Sequence, residues 1–410
     1  MALPGVKTII KDRFYSISRQ DSPVGPRVVV LAKRDTADGY GNVADLDIVL
    51  CTTEQDVIDA FGEDSHCHKA FFELVAGGAE RIYMVPLPSD TTFNYSTGAV
   101  TSSTHGGSIF DKMMIAAEAG QPDFLVPYGT GWHLTDDATP SVSTDLGFYA
   151  DNTTTAANSF AYKISNAVKS IAENTHPCIA VMGVKPYVSS TSSVMTPSAV
   201  ATHLGLSTLP DRDSDSTLKE IGRHVVVVAT ELKPANYPAE WGFSNGACAT
   251  AAALSRMASY TSTINKTVYN VASLRYNPSK TTTEALGNKG VNTVVLNFNR
   301  APIFSDGLTF AGSASDYTRL TTMRIINEST LVVRQSCQKF IGQPSTLQVR
   351  NSMETAITAA LMGMQKLGAI LDSDFNIRYV ANENKALIDL VLTPAFELRN
   401  IEVQVAVELG

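Results

Sequence analysis

The chain has 410 residues, of which 44% are hydrophobic and 18% charged, and its formal net charge is −8. That length and apolar content suit about two or three domains with full cores, while the acidic balance without a Lys/Arg run argues against nucleic acid as the main partner. No apolar stretch reaches the roughly 18 residues of a spanning helix, and no signal-peptide core opens the sequence, so no direct membrane insertion is expected. The charged fraction lies below the roughly 25% usual for soluble domains, which suits a surface covered by further copies of the chain and equally a Ser/Thr-rich monomer. Five scattered cysteines fit reduced thiols in a protein made in the cytoplasm.

Residues 4–12 form a short β-prone run carrying Val6, Thr8, Ile9 and Ile10. Ser22-Pro23-Val24-Gly25-Pro26 then cuts it off from the body of the chain. Residues 1–26 read as an extended arm on a tether, which either pairs inside its own subunit or adds a strand to a neighbour's sheet edge.

From 27 to about 305 strand and helix patterns alternate. Strands are expected at 27–31, 47–51, 81–85, 124–127, 178–183, 223–230 and 291–298. Helices are expected at 53–61, 65–76, 108–119, 158–174 and 246–260. Thr53 is placed to cap the first helix, with Glu54 and Asp56 in its favourable first turn, and Gly77-Gly78 to end the second. Four consecutive valines, 225–228, suit a strand covered on both faces. The alternation implies an α/β body with a largely parallel sheet. Residues 87–107 and 135–157, rich in Ser, Thr, Gly and Asp, read as polar surface insertions, irregular loops or small hairpins.

The terminal block opens with a helix over 316–341, its apolar stripe marked by Met323, Ile326, Val333, Cys337 and Phe340. Gly342-Gln343-Pro344 breaks it. A second helix over 345–371 carries Val349, Met353, Ile357, Ala360, Met364 and Leu367 on one side, with Arg350, Glu354 and Lys366 outside that stripe. Strands 375–380 and 386–392 form a hairpin around Asn382-Glu383-Asn384, bearing Phe375, Ile377, Tyr379, Leu387, Leu390 and Leu392. In residues 398–409 Ile401, Val403, Val405 and Val407 share one face and Glu402, Gln404 and Glu408 the other, the period of a half-buried strand. Such a strand needs a sheet to join, its own or a neighbour's.

No catalytic constellation, metal site or cofactor motif emerges. His66-Cys67-His68 is the best metal-ligand cluster, but neighbours i and i+2 do not share a helix face, and a structural zinc site needs four ligands. Gly39-Tyr40-Gly41 and Gly129-Thr130-Gly131 lack the phosphate-binding fingerprint. His133 near Asp136, Asp137 and Ser141 has no nucleophile-elbow sequence around it and reads as polar loop.

Four places together resemble the tail sheath proteins of contractile bacteriophage tails, a family that extends to related contractile injection machines. They are the Pro4-Gly5-Val6 start with its arm and break; Phe61-Gly62 with Ala70-Phe71-Phe72-Glu73 and Gly77-Gly78-Ala79-Glu80-Arg81-Ile82-Tyr83-Met84-Val85; the turn Leu286-Gly287-Asn288-Lys289-Gly290-Val291-Asn292; and the order of the terminal block, which ends its second helix in Leu367-Gly368-Ala369. The segment before the first long helix, Thr309-Phe310-Ala311-Gly312, departs from the family's Trp-Gly-Ala-Arg-Thr.

The resemblance implies an outer α/β domain at 27–305 and an inner domain at 306–397. A small sheet in the inner domain would be completed by the N-terminal arm (1–26) and the C-terminal strand arm (398–410) of neighbours. It implies a structural subunit, not an enzyme, made and assembled in the host cytoplasm and incorporated into the virion tail. The subunit would polymerise around the tail tube and contract to drive that tube through the host envelope. Its partners would be identical subunits, the tail tube protein, and baseplate and terminator proteins. The hairpin would be the strand acceptor, and Arg350, Glu354 and Lys366 would face the tube. Two alternatives stay open on the residues alone. One is an α/β enzyme or nucleotide-binding protein with a C-terminal oligomerisation module. The other is a tube or baseplate protein, although tube proteins are smaller and mostly β.

Overall fold

In β1 (Arg27–Lys33) alternate residues part to opposite sides: Val29 and Leu31 enter one core, Val28, Val30 and Ala32 another, all without solvent exposure. The structure, a computed structural model, describes residues 26–33, 43–94, 99–128, 160–183, 222–288, 290–313, 315–380, 385–395 and 397. Both arms, with Val6, Thr8, Ile9 and Ile10 at one end and Ile401, Val403, Val405 and Val407 at the other, lie outside these residues, as do the 135–157 insertion and the Asn382-Glu383-Asn384 turn.

β1 belongs to the sheet that forms the middle layer of a three-layer sandwich. Beside it run β2 (Val49–Cys51), β3 (Arg81–Leu87), β6 (Phe124–Tyr128), β7 (Ile179–Gly183), β8 (Val225–Val228) and β11 (Val291–Asn292), in the order β11-β8-β7-β6-β1-β3-β2. Every pairing is parallel except that of β2 with β3. The four valines of β8 divide strictly, Val225 and Val227 to one core and Val226 and Val228 to the other.

On the first face lie α3 (Ile109–Ala119), α4 (Phe160–Asn174) and α6 (Lys280–Asn288), through residues such as Met113, Val168 and Leu286. On the second lie α1 (Glu54–Phe61), α2 (His66–Gly77) and α5 (Ala247–Arg256). α1 has the expected capping box: Thr53 Oγ1 accepts from the Asp56 N–H, and the Asp56 carboxylate accepts from the Thr53 N–H. The Thr52 hydroxyl, which donates to the same carboxylate at 2.6 Å, and then the Thr53 bonds hold the Asp56 carboxyl down at about 2. α2 stops at Gly78, whose φ of 88° lies in the left-handed region where glycine is unstrained. α2 and α5 approach so closely that a Cβ on Gly77 would come within 2.5 Å of the Ala252 Cβ. Gly77→Ala is therefore expected to destabilise the fold by about 1–3 kcal/mol, read as a lowered urea midpoint.

The polar stretch after β3 holds a small hairpin, β4 (Thr92–Asn94) with β5 (Ala99–Thr101), one of the forms expected there. Other details differ from the sequence reading. The expected strand 291–298 is two strands, β11 and β12 (Val294–Leu296), because the Asn292 amide bonds the Val227 and Leu308 carbonyls and the chain turns away at buried Thr293. β12 pairs with β13 (Pro302–Phe304), and β9 (Leu232–Pro234) with β10 (Val271–Leu274). β9, β10 and β13 escape a sequence reading because they run only three or four residues, and the helix α6 escapes it as well. Among the described residues no helix is long and apolar enough to cross a membrane.

The candidate assembly module

α7 (Leu320–Gln338) begins inside the α/β layers and ends outside them. Leu320 and Met323 sit in the core of the second face. Farther along, Ile325 and Val333 belong to a separate core with Met353, Ile357, Leu361 and Met364 of α8 (Leu347–Lys366). Ile325 is fully buried and Ile326 only partly so, which corrects the expected stripe. On α8 the buried position is likewise Leu361, with Ala360 and Leu367 more open. α7 packs on two partners in turn, so its buried positions do not follow one line.

Two arginines fix α7 in place. Arg324, 7% exposed, donates from Nη2 to the carbonyls of Leu254 at 3.0 Å and Met257 at 2.6 Å, where α5 ends. Arg334 donates from Nη1 to the Ala172 carbonyl at 3.1 Å and from Nη2 to that of Glu173 at 2.8 Å, where α4 ends. The last carbonyls of a helix have no partner within it, and a guanidinium is suited to satisfying them. Because α4 and α5 belong to opposite faces, α7 crosses the end of the sheet and ties both helical layers together. Buried Glu328 accepts the Ser259 hydroxyl; burial raises its pKa, opposed by that bond and by the Arg324 charge.

α8 ends at Lys366 and Gly368 (φ 74°) turns the chain, which is already extended at residue 370, short of the helix end expected at 371. β14 (Ile370–Val380) and β15 (Lys385–Pro394) form a long antiparallel hairpin in which Phe375 faces Leu390 and Ile377 faces Ile388. Phe375, Ile377, Tyr379, Ile388, Leu390 and Leu392 pack on the α7–α8 core. Leu387 does not share their face: it stands opposite Arg378, and the inward place is Ile388's. Two adjacent apolar residues leave the register open by one, and only the pairing partner settles it. On the outer face Arg378 grips Asp389 through two bonds of 2.8 and 3.2 Å. Among the described residues β14 and β15 pair only with each other, so each turns one edge toward no other strand.

Of the three charged residues expected to face the tube, Arg350 turns to the hairpin. Its guanidinium lies 4.2 Å from the Tyr379 ring, and its Nε donates to Ser345 Oγ at 3.0 Å. Glu354 and Lys366 lie outside the core, Glu354 exposed and Lys366 on the last turn of α8.

The His66-Cys67-His68 trio serves local structure. His68 is buried, with Nδ1 accepting the Asp64 N–H at 3.1 Å and Nε2 lying 3.0 Å from Glu54. His66 meets the Tyr128 ring edge-on at 6.4 Å. Among the described residues no group of three His, Cys, Asp or Glu is placed to share a metal ion.

A buried polar cluster escapes the sequence reading altogether. Glu73, 1% exposed, accepts from the hydroxyls of Tyr128 at 2.7 Å, Tyr237 at 3.1 Å and Ser244 at 2.6 Å. Burial pushes its carboxyl up to about 7 against these bonds. The signal lies in the spacing, for Glu73 is three residues from Ala70 and four from Gly77, both buried.

No known protein family and no curated protein matches the chain by sequence. Solved structures match it by fold along nearly its whole length. The helical sheath of the anti-feeding prophage in its contracted state has a TM-score of 0.61 at 12% identity, covering 99% of this chain and 99% of its own. The contracted sheath of PVC, an extracellular contractile injection system, has 0.63 at 10% identity, covering 97% and 98%. The sheath tail protein of Listeria innocua has 0.57 at 10% identity, covering 92% and 93%. The chain has the fold of contractile sheath proteins. These neighbours are structural proteins, not enzymes, and the α/β body with its mainly parallel sheet belongs to that sheath fold.

Proposed function

We propose that the chain is the subunit of a contractile tail sheath. It polymerises helically around a tail tube, exchanges terminal strands with its neighbours, and contracts to drive the tube through a host envelope. The observation that carries this reading is the near-complete overlap with sheath proteins, joined to a hairpin whose two edges have no strand beside them among the described residues. An open edge invites a further strand. The alternating C-terminal run with Ile401, Val403, Val405 and Val407, and the β-prone N-terminal run with Val6, Thr8, Ile9 and Ile10, are suited to that role when donated by neighbouring copies.

In this reading 27–305 is the outer domain and 306–397 the inner one, with arms at 1–26 and 398–410. Glu354 and Lys366 touch the tube, while Arg350 holds the acceptor hairpin against α8. Head-to-tail contacts that do not close generate an open helix, which the baseplate and a terminator protein would bound.

Electron microscopy of the purified chain, with and without a tail tube, tests the reading. Hollow tubes, or sheaths on added tube, are the expected result; particles that stay monodisperse and ignore the tube would overturn it. Deleting residues 401–410 should abolish ordered sheath while leaving a folded monomer by circular dichroism. A truncated chain that still forms contractile tubes would remove strand exchange from the mechanism.

A further inference from the structure

The two edges of the seven-stranded sheet carry opposite charge. At the β2 edge, residues 43–68 hold seven carboxylates and no Lys or Arg. Among them Asp47, Asp59 and Glu63 are exposed, and Leu50 on β2 is itself 47% exposed. At the other edge β11 runs on through Thr293 into the β12–β13 hairpin. Residues 266–302 there hold five Lys or Arg and one carboxylate, Glu284. Six inter-strand spacings separate the two edges, about 29 Å at 4.8 Å each.

The tip of the β12–β13 hairpin presents Phe298 wholly to solvent, at 101% exposure. The turn beneath it is closed on itself. Asn297 Oδ1 accepts the N–H groups of Asn299 and Ala301, each at 2.9 Å, and the Asn297 carbonyl accepts that of Arg300 at 2.9 Å. Val294 and Phe304 root the two strands in a core below. A turn already fixed in shape loses little further entropy on binding, and aromatic residues with arginine are enriched in interfaces.

We infer that a second copy of the chain docks here, the Phe298 turn and basic flank of one copy seating on the acidic β2–α1 flank and Leu50 of the next. The inference rests on the sheath reading, since it names a contact between outer parts of copies that the terminal arms also link. The two patches differ, so the contact is heterologous and propagates without closing. Opposite charge steers the approach and sets the register.

The experiment uses the full chain with the photo-cross-linker benzoylphenylalanine at position 298, mixed with an isotope-labelled copy, and maps the cross-linked peptides. The expected product joins residue 298 of one copy to residues 43–64 of the other. Its yield should fall about five-fold with Arg300→Glu, recover when the second copy carries Asp47→Lys, and fall in high salt. Cross-links to another region, to added tube protein, or to no second copy would overturn the inference. Sheaths that form without the 298-to-43–64 product overturn this contact and leave the sheath reading standing. Cross-linked pairs that never build a sheath support the contact and overturn the sheath reading.

Discussion

Glu73→Gln should abolish a fall in stability that the wild-type chain shows between about pH 4.5 and 7. A carboxyl whose value rises on folding from 4.5 to about 7 binds protons more tightly in the native state than in the unfolded one. Its contribution is complete below 4.5 and is lost as pH rises through 7. Above that, the native state carries a buried carboxylate among Tyr128, Tyr237 and Ser244. That rise, from 4.5 to about 7, corresponds to about 3 kcal/mol. Glutamine keeps an acceptor for the two tyrosines and cannot ionise. Relative to wild type, the variant should therefore gain about 3 kcal/mol on going from pH 4.5 to 8, measured by urea unfolding at each pH. Parallel pH curves for the two proteins would show that Glu73 does not carry the effect.

Arg324→Met is the more damaging change. It removes the donor from the Leu254 and Met257 carbonyls and leaves Glu328, itself buried, without the cation that favours its ionised form. Breaking a buried charge arrangement from one side costs about 3–5 kcal/mol. Adding Glu328→Gln should recover part of that loss, because the stranded carboxylate then disappears. A double mutant as unstable as the sum of the two single changes would show that the arginine acts only through the carbonyls. Urea unfolding of the single and double variants measures these differences, so this is a test of folding, not of assembly.

Much of the fold is legible because local chemistry and tertiary need agree. Thr53 and Asp56 announce the start of α1, Gly78 the end of α2, and the four valines of β8 a strand covered on both sides. The illegible parts depend on partners far along the chain. Arg324 and Arg334 on α7 reach carbonyls about 70 and 160 residues away, and Glu73 finds Ser244 171 residues on. The spacing on α2 puts Glu73 among buried positions but does not name its partners, and nothing local distinguishes the two arginines from solvent-facing charges. Leu387 and Ile388 show the same limit on a smaller scale: both are apolar, and only Ile377 across the hairpin decides which one turns inward. The candidate site is thus visible in the sequence as a hairpin and two helices, but the residues that anchor it to the body are not.

α7 holds the ends of one helix from each layer, through two side chains ten positions apart on the same rod. A torque applied to the hairpin is delivered to both sides of the sheet at once. The layers cannot slip past one another unless one of those guanidinium grips is released, so the joint behaves as a weld and not as a pivot.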